Sequence, residues 1–196
     1  MNVDIYGFGR SMIVDPGMSE YGATTKASFL RSARAHNVML MDGTGAGYGV
    51  DARTWFSNPF IDVFSGETGL GGATWDRTVV FVRPNYFIIL DQVRGTSVSG
   101  STFDQLWHYV PGTATLGVGG DRIDVNYTNT YGTTGQLLLK WPSNSGVTLS
   151  QRAGYLGREL SGANLPLVDA SSTAPADYAV ATKVVGGDNR VTFPTV

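Results

Sequence analysis

The sequence predicts an all-β fold, a large antiparallel β-sandwich of stacked sheets, and three observations carry that expectation. Charged residues make up only 15% of the 196-residue chain, and 26 glycines with frequent threonines favour strands and turns over helices. Short apolar runs alternate with polar positions and are broken by turn residues every ~8–12 positions. Finally, Thr78–Val82 and Tyr86–Leu90 form a hairpin whose arms are almost wholly apolar. Both faces of each arm then call for cover, which antiparallel strands obtain inside a stack of sheets.

The elements follow in order. Val3 and Ile5 alternate with polar neighbours from residue 2 onward; Ser11–Val14 forms a second run, and Asp15-Pro16-Gly17 ends it with a strong turn signal. Residues 18–34 alone resemble a helix or irregular loop, with Lys26, Phe29, Leu30 and Arg34 at rough helical spacing. A strand at 37–41 stops at Asp42-Gly43, and 60–64 alternates again. Beyond the hairpin, strands are expected at 102–109, 113–118, 122–127, 136–141, 147–151, 178–184 and 190–193, while 157–176 is polar and reads as a long loop. Nothing divides the chain, so residues 1–196 read as a single β-sandwich domain. The alternating pattern begins at once, with neither a basic nor an apolar leader, which suggests a fragment of something longer.

Composition removes several functions. With 14 Lys+Arg against 16 Asp+Glu there is no basic excess to neutralise phosphates, so no nucleic-acid partner is expected. No apolar run approaches the ~18–20 residues of a membrane span, so no membrane partner is expected either. The absence of cysteine removes disulfides, thiolate metal sites and cysteine nucleophiles.

Few groups remain for chemistry. Gly43–Gly49 matches neither the dinucleotide fingerprint nor a P-loop and reads as an inter-strand loop. No Gly-x-Ser-x-Gly elbow is present for hydrolase chemistry. His108 shares one face of its strand with Asp104 and Leu106, with Phe103, Gln105, Trp107 and Tyr109 on the other, and reads as a structural histidine. His36 differs. Residues 31–37 bring together Arg31, Arg34, His36 and Asn37, groups able to hold an anionic sugar or, with a carboxylate, a metal. Asp15 ends a strand at a Pro-Gly turn, where its carboxylate can point into a cleft. From the residues alone a structural role for this set stays open beside the functional one. The two arginines could equally anchor their loop on backbone carbonyls.

Five segments occur in the order of one family: Val3-Asp4-Ile5-Tyr6-Gly7-Phe8-Gly9-Arg10, Ile13-Val14-Asp15-Pro16-Gly17, Phe29-Leu30-Arg31-Ser32-Ala33-Arg34-Ala35-His36-Asn37, Arg77 to Tyr86, and Phe103-Asp104-Gln105-Leu106-Trp107-His108. The chain thereby resembles the C-terminal β-sandwich domain of the heparinase II/III-like polysaccharide lyases, which include alginate lyases. The resemblance implies a preceding α/α toroid domain as partner, with the substrate cleft between the two. It implies a lyase acting on an acidic, uronic-acid-containing polysaccharide, alginate or glycosaminoglycan, by β-elimination, with residues 1–196 inactive alone. It further implies that Asp15 and His36 are two of three zinc ligands, the third a histidine upstream of Met1. Tyr21 would be an acid/base tyrosine, and Arg31 or Arg34 would lie near the anionic substrate. A periplasmic or secreted bacterial location also follows from it. The rival expectation is a non-catalytic carbohydrate-binding or structural module, with Trp55, Trp75 and Trp141 exposed to stack on sugar rings.

Overall fold

A computed structural model describes residues 1–7, 10–17, 25–47, 49–110, 112–128, 134–155 and 176–196. The chain opens with the hairpin β1 (Ile5–Gly7) and β2 (Arg10–Ile13). Helix α1 (Thr25–Leu30) and a 3-10 turn at Ala33–Ala35 lead to β3 (Met39–Met41) and β4 (Thr44–Gly45). A meander follows: β5 (Asp51–Ser57), β6 (Ile61–Leu70), β7 (Ala73–Val82) and β8 (Tyr86–Arg94). Then come β9 (Thr102–His108), β10 (Thr113–Leu116), β11 (Arg122–Thr128), β12 (Thr134–Lys140), β13 (Thr148–Gly154), β14 (Ala176–Val184) and β15 (Arg190–Thr195). All strand pairings among the described residues are antiparallel. Two five-stranded sheets, ordered β15-β8-β7-β6-β5 and β13-β14-β9-β3-β4, are joined by the three-stranded sheet β10-β11-β12 and the β1–β2 hairpin. The all-β stacked-sheet expectation holds, and no helix among the described residues is long and apolar enough to cross a membrane. The expected loop at 157–176 lies almost wholly outside the described residues.

Strand β9 explains the stacking. Phe103 and Trp107 enter the main core on one face, while Leu106 on the other joins Leu40, Tyr178 and Val180 beneath Phe29 of α1. Both faces of β9 are thus covered. The β7–β8 hairpin departs from the expectation: Trp75, Ile89 and Val93 point inward and are buried, but Tyr86 and Leu90 on the outer face are exposed. Outer-face side chains shield one another across the register, as in Val63–Val80–Ile88, without a further layer. Strand β5 escapes the sequence reading because Asp-Ala-Arg-Thr-Trp-Phe-Ser lacks apolar alternation; its place is set by pairing with β6. Trp75 and Trp141 are fully buried, correcting the view of them as sugar platforms, whereas Trp55 is 77% exposed.

The two large sheets are tied by a buried polar network. Asp91 accepts bonds from Arg77 Nε (2.7 Å) and Trp75 Nε1 (2.8 Å) at Oδ1, and from Arg77 Nη2 (2.7 Å) and Gln105 Nε2 (2.7 Å) at Oδ2. Gln105 Oε1 in turn accepts from Trp141 Nε1 and Thr195 Oγ1, both at 2.8 Å. A carboxylate removed from water needs this saturation, because a buried charge stripped of its partners is costly. Arg77→Ala leaves Asp91 buried without its countercharge and is expected to lower stability by about 3–5 kcal/mol in urea unfolding. Arg53→Ala, at a solvent-screened surface pair with Glu67, should leave the urea midpoint nearly unchanged.

Candidate functional site

The N-terminal segment lies over the inner face of the β15-β8-β7-β6-β5 sheet, and Asn37 fixes it there. Asn37 is fully buried. Its Nδ2 donates to the carbonyls of Val3 (2.8 Å) and Val14 (3.0 Å), and its Oδ1 accepts from the His108 backbone N–H (2.6 Å). Its backbone N–H donates to Asn2 Oδ1 (2.8 Å), and its carbonyl accepts from Arg77 Nη1. Arg77 Nη1 also reaches the Met1 carbonyl at 2.9 Å. One residue thus gathers residues 2–3, the chain just after β2 and the end of β9.

This arrangement brings Asp15 and His36 together across 21 residues of sequence. His36 Nδ1 lies 2.9 Å from Asp15 Oδ2. Asp15 Oδ2 also accepts from Asn2 Nδ2 (2.7 Å), and Oδ1 accepts from the Gly17 N–H (2.8 Å), the turn read from Pro16-Gly17. The position of Gly17, at φ 73°, is one a side chain resists. Burial raises the Asp15 carboxyl, but the bonds from His36 and Gly17 outweigh it and hold the group below the ordinary carboxylate value. Asp4, beside the pair, is pushed up by burial and by the Asp15 charge. A carboxylate and an imidazole in contact supply two donors of the kind zinc takes, though no group of three His, Cys, Asp or Glu occurs among the described residues. The pair therefore fits part of a zinc site.

The other expected residues fall elsewhere. Arg31 is exposed directly after α1. Arg34 sits in the 3-10 turn with its guanidinium against the Gly43 turn, 2.9 Å from where a Cβ would stand. Tyr21 lies outside the described residues. The sequence reading quoted Asn37 but missed its part in holding the site. Its signal was an amide placed between His36 and the apolar run Val38–Met41, where nothing but hydrogen bonding justifies burial. His108, read from the sequence as a structural histidine, is buried and stacks on Tyr178 at 4.5 Å.

The chain matches the family described as Heparinase II/III-like, C-terminal, over residues 2–173, and it belongs to that family. Among solved structures it is similar to heparan sulfate lyase HepC from Pedobacter heparinus, with a TM-score of 0.78 and 15% identity, covering 99% of this chain and 29% of HepC. It is also similar to heparinase III, with a TM-score of 0.76 and 15% identity, covering 98% of this chain and 28% of that one. The chain thus spans under a third of either protein. No curated protein matches it.

Burial, with the nearby His36 adding, pushes the His108 imidazole down to about 3. The unfolded chain takes up this proton near pH 6.5 while the folded one refuses it, so His108 withdraws stability as pH falls from 6.5 toward 3. The folding constant should drop about tenfold per unit through this proton alone. Denaturant midpoints measured from pH 6 to 4.5 should flatten by one proton's worth in His108→Gln.

Proposed function

We propose that the chain is the C-terminal domain of a polysaccharide lyase that cleaves a uronic-acid-containing polysaccharide, of glycosaminoglycan or alginate type, by β-elimination. The observation that carries this reading is the Asp15–His36 contact, held by buried Asn37 inside the matched region. The lyases it resembles in fold are more than three times as long, which leaves room for the helical toroid that the family resemblance implies, with the cleft between the two domains. The burial of Trp75 and Trp141 counts against the non-catalytic module.

In this reading Asp15 and His36 hold zinc with a third ligand from the upstream partner, and the ion supplies a fixed positive charge beside the cleft. Before the ion binds, the Asp15 contact at Nδ1 holds the His36 ring in place, and this contact would give way to the shared ion, while buried Asn37 keeps the two residues adjacent. The acid/base role falls to Tyr21 by family resemblance, and Arg31 or Arg34 offers a guanidinium to a substrate carboxylate. The proton beside that carboxylate is only weakly acidic, so the site must neutralise the carboxylate before a base can remove it. The toroid supplies the remaining catalytic groups. The protein works in the periplasm or outside the cell, where such polymers are met.

Two measurements test this. The protein joined to its upstream partner should release unsaturated products absorbing in the near ultraviolet, and residues 1–196 alone should release none. Equal turnover by the short chain would place the base in the wrong half. In zinc titrations the short chain should bind weakly, since two donors are too few. Extension through the upstream histidine should raise affinity at least tenfold, and His36→Ala should remove that gain.

A further inference from the structure

Trp55 pairs directly with Phe64 across β5 and β6, and Phe64 with Val79 on β7. These side chains therefore share the inner face of the sheet, the face from which Arg77 reaches Met1 and Asn37. The second sheet covers the middle of that face but not its β5 margin, where Trp55 stands 77% exposed. Its ring is not loose. Phe64 meets it edge-on, with centroids 6.3 Å apart at 66°, which steadies the indole on one side.

Two residues further along, at the next pair on the same face, Ser57 lies opposite Asp62. Ser57 Oγ donates to Asp62 Oδ1 at 2.6 Å, and Arg83 Nε donates to Asp62 Oδ2 at 2.8 Å. The Arg83 side chain remains 40% exposed. The backbone positions of this polar pair thus lie roughly 7 Å along the strands from those of Trp55 and Phe64. In the other direction Gly66 underlies Met1, so the segment carrying Asn2 and Asp4 rises beside this margin. A flat apolar surface flanked by hydrogen-bonding groups suits a ring with one C–H face and a polar rim. A pyranose has that form, and the half-exposed Arg83 guanidinium, held in place by Asp62, presents charge-assisted donors of the kind that the carboxylate of an acidic sugar takes.

We propose that Trp55 is a sugar-stacking platform, an outlying subsite that holds an acidic polysaccharide chain on the same side of the sheet as the Asp15–His36 pair. This rests on the lyase reading and assigns the polymer a path along the β5 margin: from Ser57 and Arg83, over Trp55, toward the N-terminal segment.

The chain has four tryptophans, and the other three are no more than 1% exposed, so acrylamide-accessible emission belongs to Trp55. Heparan sulfate and alginate oligosaccharides of defined length are the probes. Bound saccharide should shield that emission from acrylamide. Trp55→Ala should weaken binding about tenfold, as loss of a ring contact implies, while Trp55→Tyr stays within about threefold. As an exposed residue on an edge strand, Trp55 can be replaced without unfolding the chain, which thermal melting would verify. Undiminished quenching at saturating saccharide, unchanged affinity in Trp55→Ala, or no saccharide binding at all would each overturn the platform. The lyase reading is judged separately, by unsaturated product from the protein joined to its upstream partner. Product formed while Trp55 stays accessible sinks the platform alone; no product sinks the lyase reading, and shielding of Trp55 would still support the platform.

Discussion

The Arg77–Asp91 pair is the interaction on which the remainder of the molecule depends. Asp91 sits on β8 and Arg77 on β7, so the pair alone would only join neighbours. Its reach comes from saturation: Gln105 brings in β9 of the second large sheet, and Trp141 and Thr195 bring in the chain after β12 and the C-terminal strand. Arg77 then spends its remaining nitrogen on the carbonyls of Met1 and Asn37. Replacing such a pair by apolar residues can leave stability unchanged, but it could not aim hydrogen bonds at two carbonyls. The ion pair thus sets position more than it adds stability.

The site inherits its geometry from that core. Asp15 and His36 belong to segments with little regular structure of their own, and a bare Asp–His contact at partial exposure would be weak. Rigidity reaches them through Asn37, which is bonded to Arg77 on one side and to residues 2, 3, 14 and 108 on the other. The family resemblance names Asp15 and His36; the buried amide between them and the core explains why they meet.

Much of this was legible from residues. The turn at Pro16-Gly17, the paired apolar arms of β7 and β8, and the strand at β9 all follow from local pattern. What failed shares one cause, namely that tertiary contact overrode composition. Asp51–Ser57 is polar yet becomes a strand because β6 offers it a ladder. Trp75 and Trp141 carry a polar N–H that suits a surface, and they lie buried because Asp91 and Gln105 accept from them. Outer-face residues of the β7–β8 hairpin look like core but stay partly exposed, since apolar character reports a preference and not the number of layers available. His36 and Asp15 could be singled out by type, but nothing in spacing alone says that residues 21 apart touch.

The five-stranded sheet ends on each side in a strand whose outer backbone groups could recruit a stranger. On one side β15 carries Pro194, which has no N–H to offer a further strand. On the other, the register of β5 slips between Ala52 and Thr54, bending the rim and setting the charge of Arg53 at its middle. A flat, unbroken rim would serve as a template for self-propagating strand addition. These two imperfections cap the sheet at its present width, so a surface rich in exposed aromatic side chains can stay wet without drawing copies of the molecule into fibrils.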